Sequence, residues 1–323
     1  MKTRSKYGYM SAALAVGVAV AAVLTFVGCK KRPYTRIARL PLQVELDWSA
    51  VEGSGDKIPA TLKLYLFRED GTLQAQYDIP KEGQVLGLLD VGTYKAICVN
   101  VNDYVEVLNS NKYETTQMVA KPASSSYLSG GLSKAEGNTV IYQPGWIFSS
   151  SIPEIRVGDP AITDDANTVS TVVFPMERRV KTVNFRFTVS GLTDEIEEVK
   201  GTLDNVAAMV ELSSGEIVCG HEAASPFRLE YQADGTLGGT MLIFGNEADE
   251  NPDLRNDLHL QFETESGRMI TLHEDITEQM KEESVEGDLN IDIEANLDVQ
   301  LNAGFVTIVI TWKPGSSEDI EGQ

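Results

Sequence analysis

The sequence contains few of the residues on which catalytic sites depend. Only three histidines and three cysteines occur in 323 residues. The nucleophile-elbow motif, the P-loop and the dinucleotide-binding glycine motif are all absent from the sequence. His221 and His273 have acidic neighbours but no third group that completes a triad, and strand alternation predicts that His259 is on a solvated face. We therefore expect no enzymatic activity.

Positive charge is scarce, and so are clustered metal ligands. Lysine and arginine number 27 against 48 acidic residues, which gives a net charge of −21. Such a chain repels a phosphate backbone, so nucleic acid is excluded as a partner. The acidic segment GNEADENPDLRND, residues 245–257, is the best candidate for a calcium site, but it lacks the ligand spacing of an EF-hand. We expect neither a metal nor a cofactor.

Two of the three cysteines, Cys98 in AICVN and Cys219 in EIVCG, lie in apolar runs in different halves of the chain. Two buried thiols that do not meet are the simpler interpretation. A disulfide between the halves is the alternative in an oxidising envelope, and the spacing does not decide between the two.

The first 28 residues have the composition of an export signal. Lys2, Arg4 and Lys6 precede an uncharged stretch rich in alanine, valine and leucine. That stretch ends in Phe26-Val27-Gly28-Cys29, which resembles a bacterial lipobox. The resemblance implies a lipoprotein signal peptide at 1–28 and acyl chains on Cys29 that hold the mature protein in a bilayer. A single membrane-spanning helix with an incidental cysteine is the alternative.

Residues 29–39 form a short basic tether. The segment has no acidic residue, and its cations are Lys30, Lys31, Arg32, Arg36 and Arg39. A cationic tether before an acidic body suits a protein attached to an anionic phospholipid surface.

The remaining sequence alternates apolar and polar residues with a period of two. Clear examples are residues 42–48, 183–189 and 258–262, which predict half-buried strands. Turn signals separate such segments: Glu69-Asp70-Gly71, Ser213-Ser214-Gly215, Ala233-Asp234-Gly235 and Glu265-Ser266-Gly267. Helical periodicity is confined to residues 275–283. The pattern predicts an all-β protein of the sandwich type.

A domain boundary is predicted near Pro175, because proline cannot donate to a strand ladder and charged residues follow it. The predicted domains are 40–175 and 178–314, followed by a disordered tail at 315–323. Residues 109–165 are rich in serine and glycine runs, and we expect long loops with few strands there.

Several segments resemble the Bacteroidales fimbrillin-like lipoproteins. The first half contributes VELDW and VGTYKAICVN, and the second contributes FPMERRVKTVNFRFTVSGL and NDLHLQFETESGRMITLHEDIT. Together with neighbouring segments they cover most of residues 40–300. The resemblance implies two tandem transthyretin-like β-sandwich domains on a lipid anchor, without enzymatic activity.

The same resemblance implies a role as a fimbrial anchor or a fimbrium assembly subunit. Its partners would be fimbrial or other envelope protein subunits, and it would stand on the outer membrane, on the cell-surface side rather than the periplasmic side. A surface glycan-binding lipoprotein is the alternative, with Trp146 in YQPGWIFSSS as the aromatic contact.

The segment from Phe305 to Trp312 is apolar on both faces, since Phe305 and Val309 lie on the face opposite Val306 and Ile308. One interpretation is a central strand of the second domain. The other is a partner-binding strand, in which Phe305, Thr307 and Val309 contact another subunit through strand addition.

Replacement of the lipobox cysteine tests the predicted anchor. Cys29→Ser should abolish incorporation of labelled palmitate and leave an unprocessed or soluble product, because the thiol that accepts the lipid is gone. Cys219→Ser is the matched control and should keep the label. Unchanged labelling of the Cys29→Ser chain would contradict the lipoprotein prediction.

Overall fold

Nearly all of the regular structure is β-strand. The computed structural model describes residues 39–51, 57–123, 139–158, 169–190, 196–265, 267, 269–281, 288–296, 298–302 and 305–309. Within them the helical elements are short: α1 (Glu247–Glu250), α2 (Thr277–Met280) and two 3₁₀ turns, Ser49–Val51 and Tyr113–Thr115. The all-β prediction is confirmed. The predicted signal peptide, Cys29 and the tail at 315–323 lie outside the described residues.

The first half contains a three-stranded sheet of order β10-β1-β4 and a five-stranded sheet of order β11-β9-β5-β2-β3. Buried residues of both sheets, among them Leu42, Leu64 and Phe174, form one hydrophobic cluster. The strands are β1 (Arg39–Asp47), β2 (Thr61–Arg68), β3 (Leu73–Pro80), β4 (Gln84–Asp90), β5 (Gly92–Val99), β6 (Val105–Leu108), β7 (Gln117–Ala120), β8 (Thr139–Val140), β9 (Phe148–Val157), β10 (Ser170–Pro175) and β11 (Glu177–Arg178).

The second half is built on a sheet of order β18-β17-β13-β15-β16-β12-β19, with β8 paired to β15. Its strands are β12 (Lys181–Ser190), β13 (Ile196–Ala207), β14 (Met209–Glu211), β15 (Glu222–Tyr231), β16 (Leu237–Ile243), β17 (Asp257–Thr264), β18 (Met269–Asp275), β19 (Asp288–Asn296), β20 (Asp298–Asn302) and β21 (Phe305–Val309).

Strand β15 connects two layers of this sheet. Its residues up to Leu229 pair with β13, whereas Glu230 and Tyr231 pair with β16. Phe227 of β15 stacks on Phe185 of β12 with ring centroids 4.3 Å apart, so the layer that contains β13 faces the layer that contains β12 across a shared core.

Both halves close in the same way. β1 lies between β10, which is parallel to it, and β4, which is antiparallel. β12 likewise lies between the parallel β19 and the antiparallel β16. A parallel partner cannot be reached by a hairpin, so each half ends by returning to its own first strand.

Strands also pair across the predicted domain boundary. β7 pairs with β14, which places Met118 opposite Val210, and β8 pairs with β15. The larger hydrophobic cluster includes Phe67 and Met118 of the first half together with Phe262 of the second. The halves therefore share a core, and their folding as separate domains stays a prediction.

The predicted strands and turns are confirmed in most of the chain. β12 and β17 contain two of the alternating segments, β1 contains the third except for Trp48, and α2 lies in the segment with helical periodicity. Gly71, Gly215, Gly235 and Gly267 all have positive φ, between 76° and 84°, as their turns require.

Strand β9 contradicts the expectation of few strands within residues 109–165. It is ten residues long and pairs with β5 and β11. Ser149 is fully buried and accepts a hydrogen bond from Arg179 Nε at 2.6 Å, while Ser151 donates to the Ser213 carbonyl at 2.8 Å. A serine run is compatible with a buried strand when its hydroxyls find such partners.

Replacement of Met118 tests the shared core. Met118→Ala should lower the free energy of unfolding of the full chain by about 2–5 kcal/mol, because it leaves a cavity next to β14. In the fragment 40–175, which lacks β14, the same substitution should lose most of its effect. Urea unfolding curves measure both.

Leu64→Ala is the control, because Leu64 is fully buried in the cluster that belongs to the first half. It should destabilise the fragment and the full chain alike. Equal effects of Met118→Ala in both would contradict the shared core. If the fragments 40–175 and 178–314 both lacked a cooperative transition, separate folding of the halves would be wrong.

Candidate partner-binding surface

Strand β19 forms one edge of the large sheet. It runs parallel to β12 over nine residue pairs, from Asp288 opposite Thr182 to Asn296 opposite Ser190. Leu289, at 1 % exposure, anchors it in the core. Among the described strands β19 has no neighbour on its other side. An edge strand presents unpaired backbone groups to which a further strand can be added.

The last two described strands follow β19 in the chain and form a separate two-stranded ribbon. β20 pairs antiparallel with β21, with Asp298 opposite Val309 and Asn302 opposite Phe305. Within the described residues β21 pairs with β20 alone and not with a strand of the large sheet, which does not match the prediction of a central strand in the second domain. An apolar pattern on both faces of a strand indicates that both faces are covered, but it does not identify the segment or partner that covers them.

The register assigns two different faces to this ribbon. Val299 lies opposite Ile308 and Leu301 opposite Val306, so these four share one wholly apolar face. Phe305, Thr307 and Val309 alternate onto the other face. The predicted contact residues are thus brought into one row, while the contacts of their side chains lie outside the description.

Trp146, the candidate glycan contact, is engaged by other protein groups. Its ring is stacked on Phe148, with centroids 6.4 Å apart and an interplanar angle of 13°. Lys57 Nζ lies 4.2 Å from the ring centroid, and the guanidinium of Arg178 lies 5.8 Å away. The side chain packs against both hydrophobic clusters. It is therefore part of the protein's packing rather than an open platform for a sugar.

His259 contradicts the prediction of a solvated side chain. It is 8 % exposed, and its Nε2 lies 3.2 Å from Oδ2 of the buried Asp204. The ring of His273 stacks on it with centroids 4.4 Å apart. Asp204 lies at a bulge of β13, where the register shifts between Leu203 and Val206. Alternation did not predict this pair, because the bulge interrupts it: Asn205, next to Asp204, has a positive φ of 58°, a conformation that asparagine tolerates.

Acidic and amide side chains of the segment 245–257 form hydrogen bonds within the protein. Asn246 accepts a hydrogen bond from the Ala248 amide at 3.1 Å and begins α1. Glu247, at 1 % exposure, accepts hydrogen bonds from the amides of Gly220 and His221. Among the residues that the structure describes, no group of three or more histidine, cysteine, aspartate and glutamate side chains is arranged to hold a metal ion.

The two cysteines of the body are both free. Cys98 is buried in β5, and burial raises the pKa of its thiol. Cys219 is exposed, which corrects the prediction of two buried thiols. The disulfide alternative is therefore not realised in the structure.

A family model described as "Domain of unknown function (DUF5119)" matches residues 28–227 of the chain. The match includes Cys29, the first half and the second half as far as β15. No curated protein matches the sequence. Within the described residues, no helix is long and apolar enough to cross a membrane.

Solved structures of similar fold come from Bacteroides and Porphyromonas. A candidate adhesin from Bacteroides ovatus is 17 % identical with a TM-score of 0.56, over 82 % of this chain and 97 % of that chain. The fimbrial anchor protein Mfa2 from Porphyromonas gingivalis is 12 % identical with a TM-score of 0.52, over 86 % and 98 %. A candidate polysaccharide-binding protein from Bacteroides thetaiotaomicron is 13 % identical with a TM-score of 0.51, over 84 % and 98 %. At these identities the likeness shows a common fold.

The packing of Trp146 leads to a prediction about its replacement. Trp146→Ala should lower the free energy of unfolding by about 2 kcal/mol, because the stacked ring is lost from between two clusters. It should leave polysaccharide binding, measured by affinity electrophoresis, unchanged. Tyr231→Ala, at a site 58 % exposed, is the control for stability. Binding that is lost in the Trp146 variant would support the glycan hypothesis instead.

Proposed function

We propose the following role for a chain that belongs to the DUF5119 family: it is a non-enzymatic, lipid-anchored envelope protein that serves as a fimbrial anchor or fimbrium assembly subunit. Its partners are fimbrial or other envelope subunits, bound through strand contacts. The two halves act as tandem transthyretin-like sandwiches that hold the binding strands away from the membrane.

The observation that carries this proposal is the separate ribbon β20–β21, which follows the edge strand β19 in the chain. Two strands alone are marginally stable in water, so a ribbon with one wholly apolar face requires further contacts. Addition of a strand from another subunit supplies both backbone hydrogen bonds and cover for apolar side chains. Chains that share this fold include a fimbrial anchor and candidate adhesins, which supports attachment between proteins as the role.

The proposed lipid precedes the first sheet by a short stretch of sequence. Arg39 begins β1 and is ten residues after Cys29. A fully extended chain of ten residues is about 35 Å long. Leu42 and Val44 of β1 are buried at 1 % and 0 % exposure between β10 and β4. In this proposal the tether leads from the lipid into β1, the central strand of its sheet, and the protein stands on the cell-surface side of the outer membrane.

The glycan-binding alternative loses its main residue, because Trp146 is packed between protein groups. One chain of similar fold is described as a candidate polysaccharide-binding protein, but this likeness concerns the fold. We therefore place subunit binding first.

Val309→Lys tests the binding strand. If β21 binds a partner, the variant should fold normally and capture at least about tenfold less of the fimbrial subunits from envelope extracts, because a charge opposes apolar contact. The measurement is a pull-down with subunits quantified by mass spectrometry, accompanied by an unfolding curve.

Met269→Lys is the matched control, because Met269 is an exposed apolar residue on β18, the opposite edge strand. It should capture subunits as the unchanged protein does. An unfolded Val309→Lys variant would indicate that β21 serves the protein's own core. A folded variant with undiminished capture would exclude β21 from the interface.

A further inference from the structure

A polar groove runs along β16 on the outer face of the second half. Gly238 lies opposite Arg186 of β12 on one side and opposite Glu230 of β15 on the other. Residues directly opposite each other project from the same face of a sheet. The side chains of Arg186 and Glu230 therefore project on either side of Gly238, which has none. The space left between them is part of a cavity of about 580 Å³.

The glycines of this groove have different roles. A Cβ on Gly239 would lie 2.4 Å from the carbonyl oxygen of Arg228, so this glycine allows β15 to approach β16. A Cβ on Gly238 would meet only the flexible Gln232 side chain, at 3.0 Å. Gly238 is therefore not required by the backbone, and the Gln232 side chain lies over the space that its missing side chain leaves. A glycine within a strand commonly marks the close approach of another group.

Both walls of the groove carry side chains held in fixed positions. Arg186 pairs with Asp234 at 2.8 Å, and Arg228 pairs with Glu198 at 3.0 Å. Hydrogen bonds from Thr236, together with the Arg186 guanidinium, lower the pKa of the Asp234 carboxyl, which keeps this pair ionised. These groups stand on strands or on the tight turn between β15 and β16.

A second row continues the groove with uncharged polar groups. Thr240 Oγ1 donates to Asn184 Oδ1 at 3.0 Å, and Asn184 Nδ2 donates to Asn290 Oδ1 at 3.1 Å. In the described part of the chain the carboxylate of Glu230 makes no hydrogen bond or ion pair, so it is open to a donor. The groove thus offers guanidinium and amide donors beside carboxylate and hydroxyl acceptors.

This set of groups excludes several classes of ligand. An anion is disfavoured, because each guanidinium is already paired with a carboxylate and the chain carries a net charge of −21. An apolar ligand is disfavoured, because the walls that face the groove are polar. A ligand with many hydroxyls and no charge matches adjacent donors and acceptors without leaving a buried charge unpaired.

We propose that this groove binds a neutral saccharide, with Arg186, Asp234 and Glu230 as hydrogen-bonding partners of its hydroxyls. The site is separate from the proposed strand-binding ribbon, and its ligand does not depend on that role.

The test is isothermal titration calorimetry of the full chain with maltohexaose, cellohexaose and mannohexaose. A non-glycosidic detergent keeps the chain in solution without offering a competing sugar. At least one hexasaccharide should bind. Gly238→Leu, which fills the groove, and Arg186→Ala, which removes one wall, should each weaken that binding about tenfold or more.

The controls are a leucine at another strand glycine and the loss of another exposed ion pair. Gly87→Leu places its side chain where no atom lies within 4 Å of the Cβ, and Lys63→Ala breaks the exposed pair with Asp78. Both should bind as the unchanged chain does. Arg186 is exposed, so its variant remains informative if Gly238→Leu fails to fold. Binding to none of the three saccharides, or binding that both groove variants leave intact, would overturn the proposal.

Discussion

The parallel pairing of the first and last strands is the interaction on which the rest of the structure depends. β10 can reach β1, and β19 can reach β12, only after every intervening strand has been placed. The pairing buries Leu42 and Val44 in the first half and Leu289 in the second. It also decides which strands are central and which are edges. In the second half it leaves β19 at the rim, with the ribbon β20–β21 following it.

Charge affects what can be added at that rim. β19 and β20 carry acidic residues at Asp288, Asp292, Glu294 and Asp298. Charged side chains on an edge discourage uncontrolled pairing with a second copy, and a net charge of −21 adds a general repulsion between copies. If a strand is added at this edge, a neutral or basic one is favoured over a second copy of the chain. Backbone pairing would provide the affinity, and charge would restrict the choice of partner.

The sequence predicted local features well and long-range ones poorly. Alternation located β1, β12 and β17, and glycines located their turns, because both signals depend on neighbouring residues. His259 and Trp146 were misjudged because their surroundings come from distant strands and loops. The pairing of β7 with β14 was missed for the same reason: no short pattern in either strand specifies its partner. The groove beside Gly238 became visible only from the register of three strands.

The closing pairs determine how the protein would carry mechanical load. If tension acts between a lipid before β1 and a partner bound after β19, each first strand is pulled toward its start and each last strand toward its end. When two parallel strands are pulled from opposite ends, the force acts along the strands. The strands are then sheared past one another rather than separated one hydrogen bond at a time. The hydrogen bonds of six residue pairs between β1 and β10, and of nine between β12 and β19, would then resist together. Each half would act as a shear clamp, with both clamps in series along the line of force.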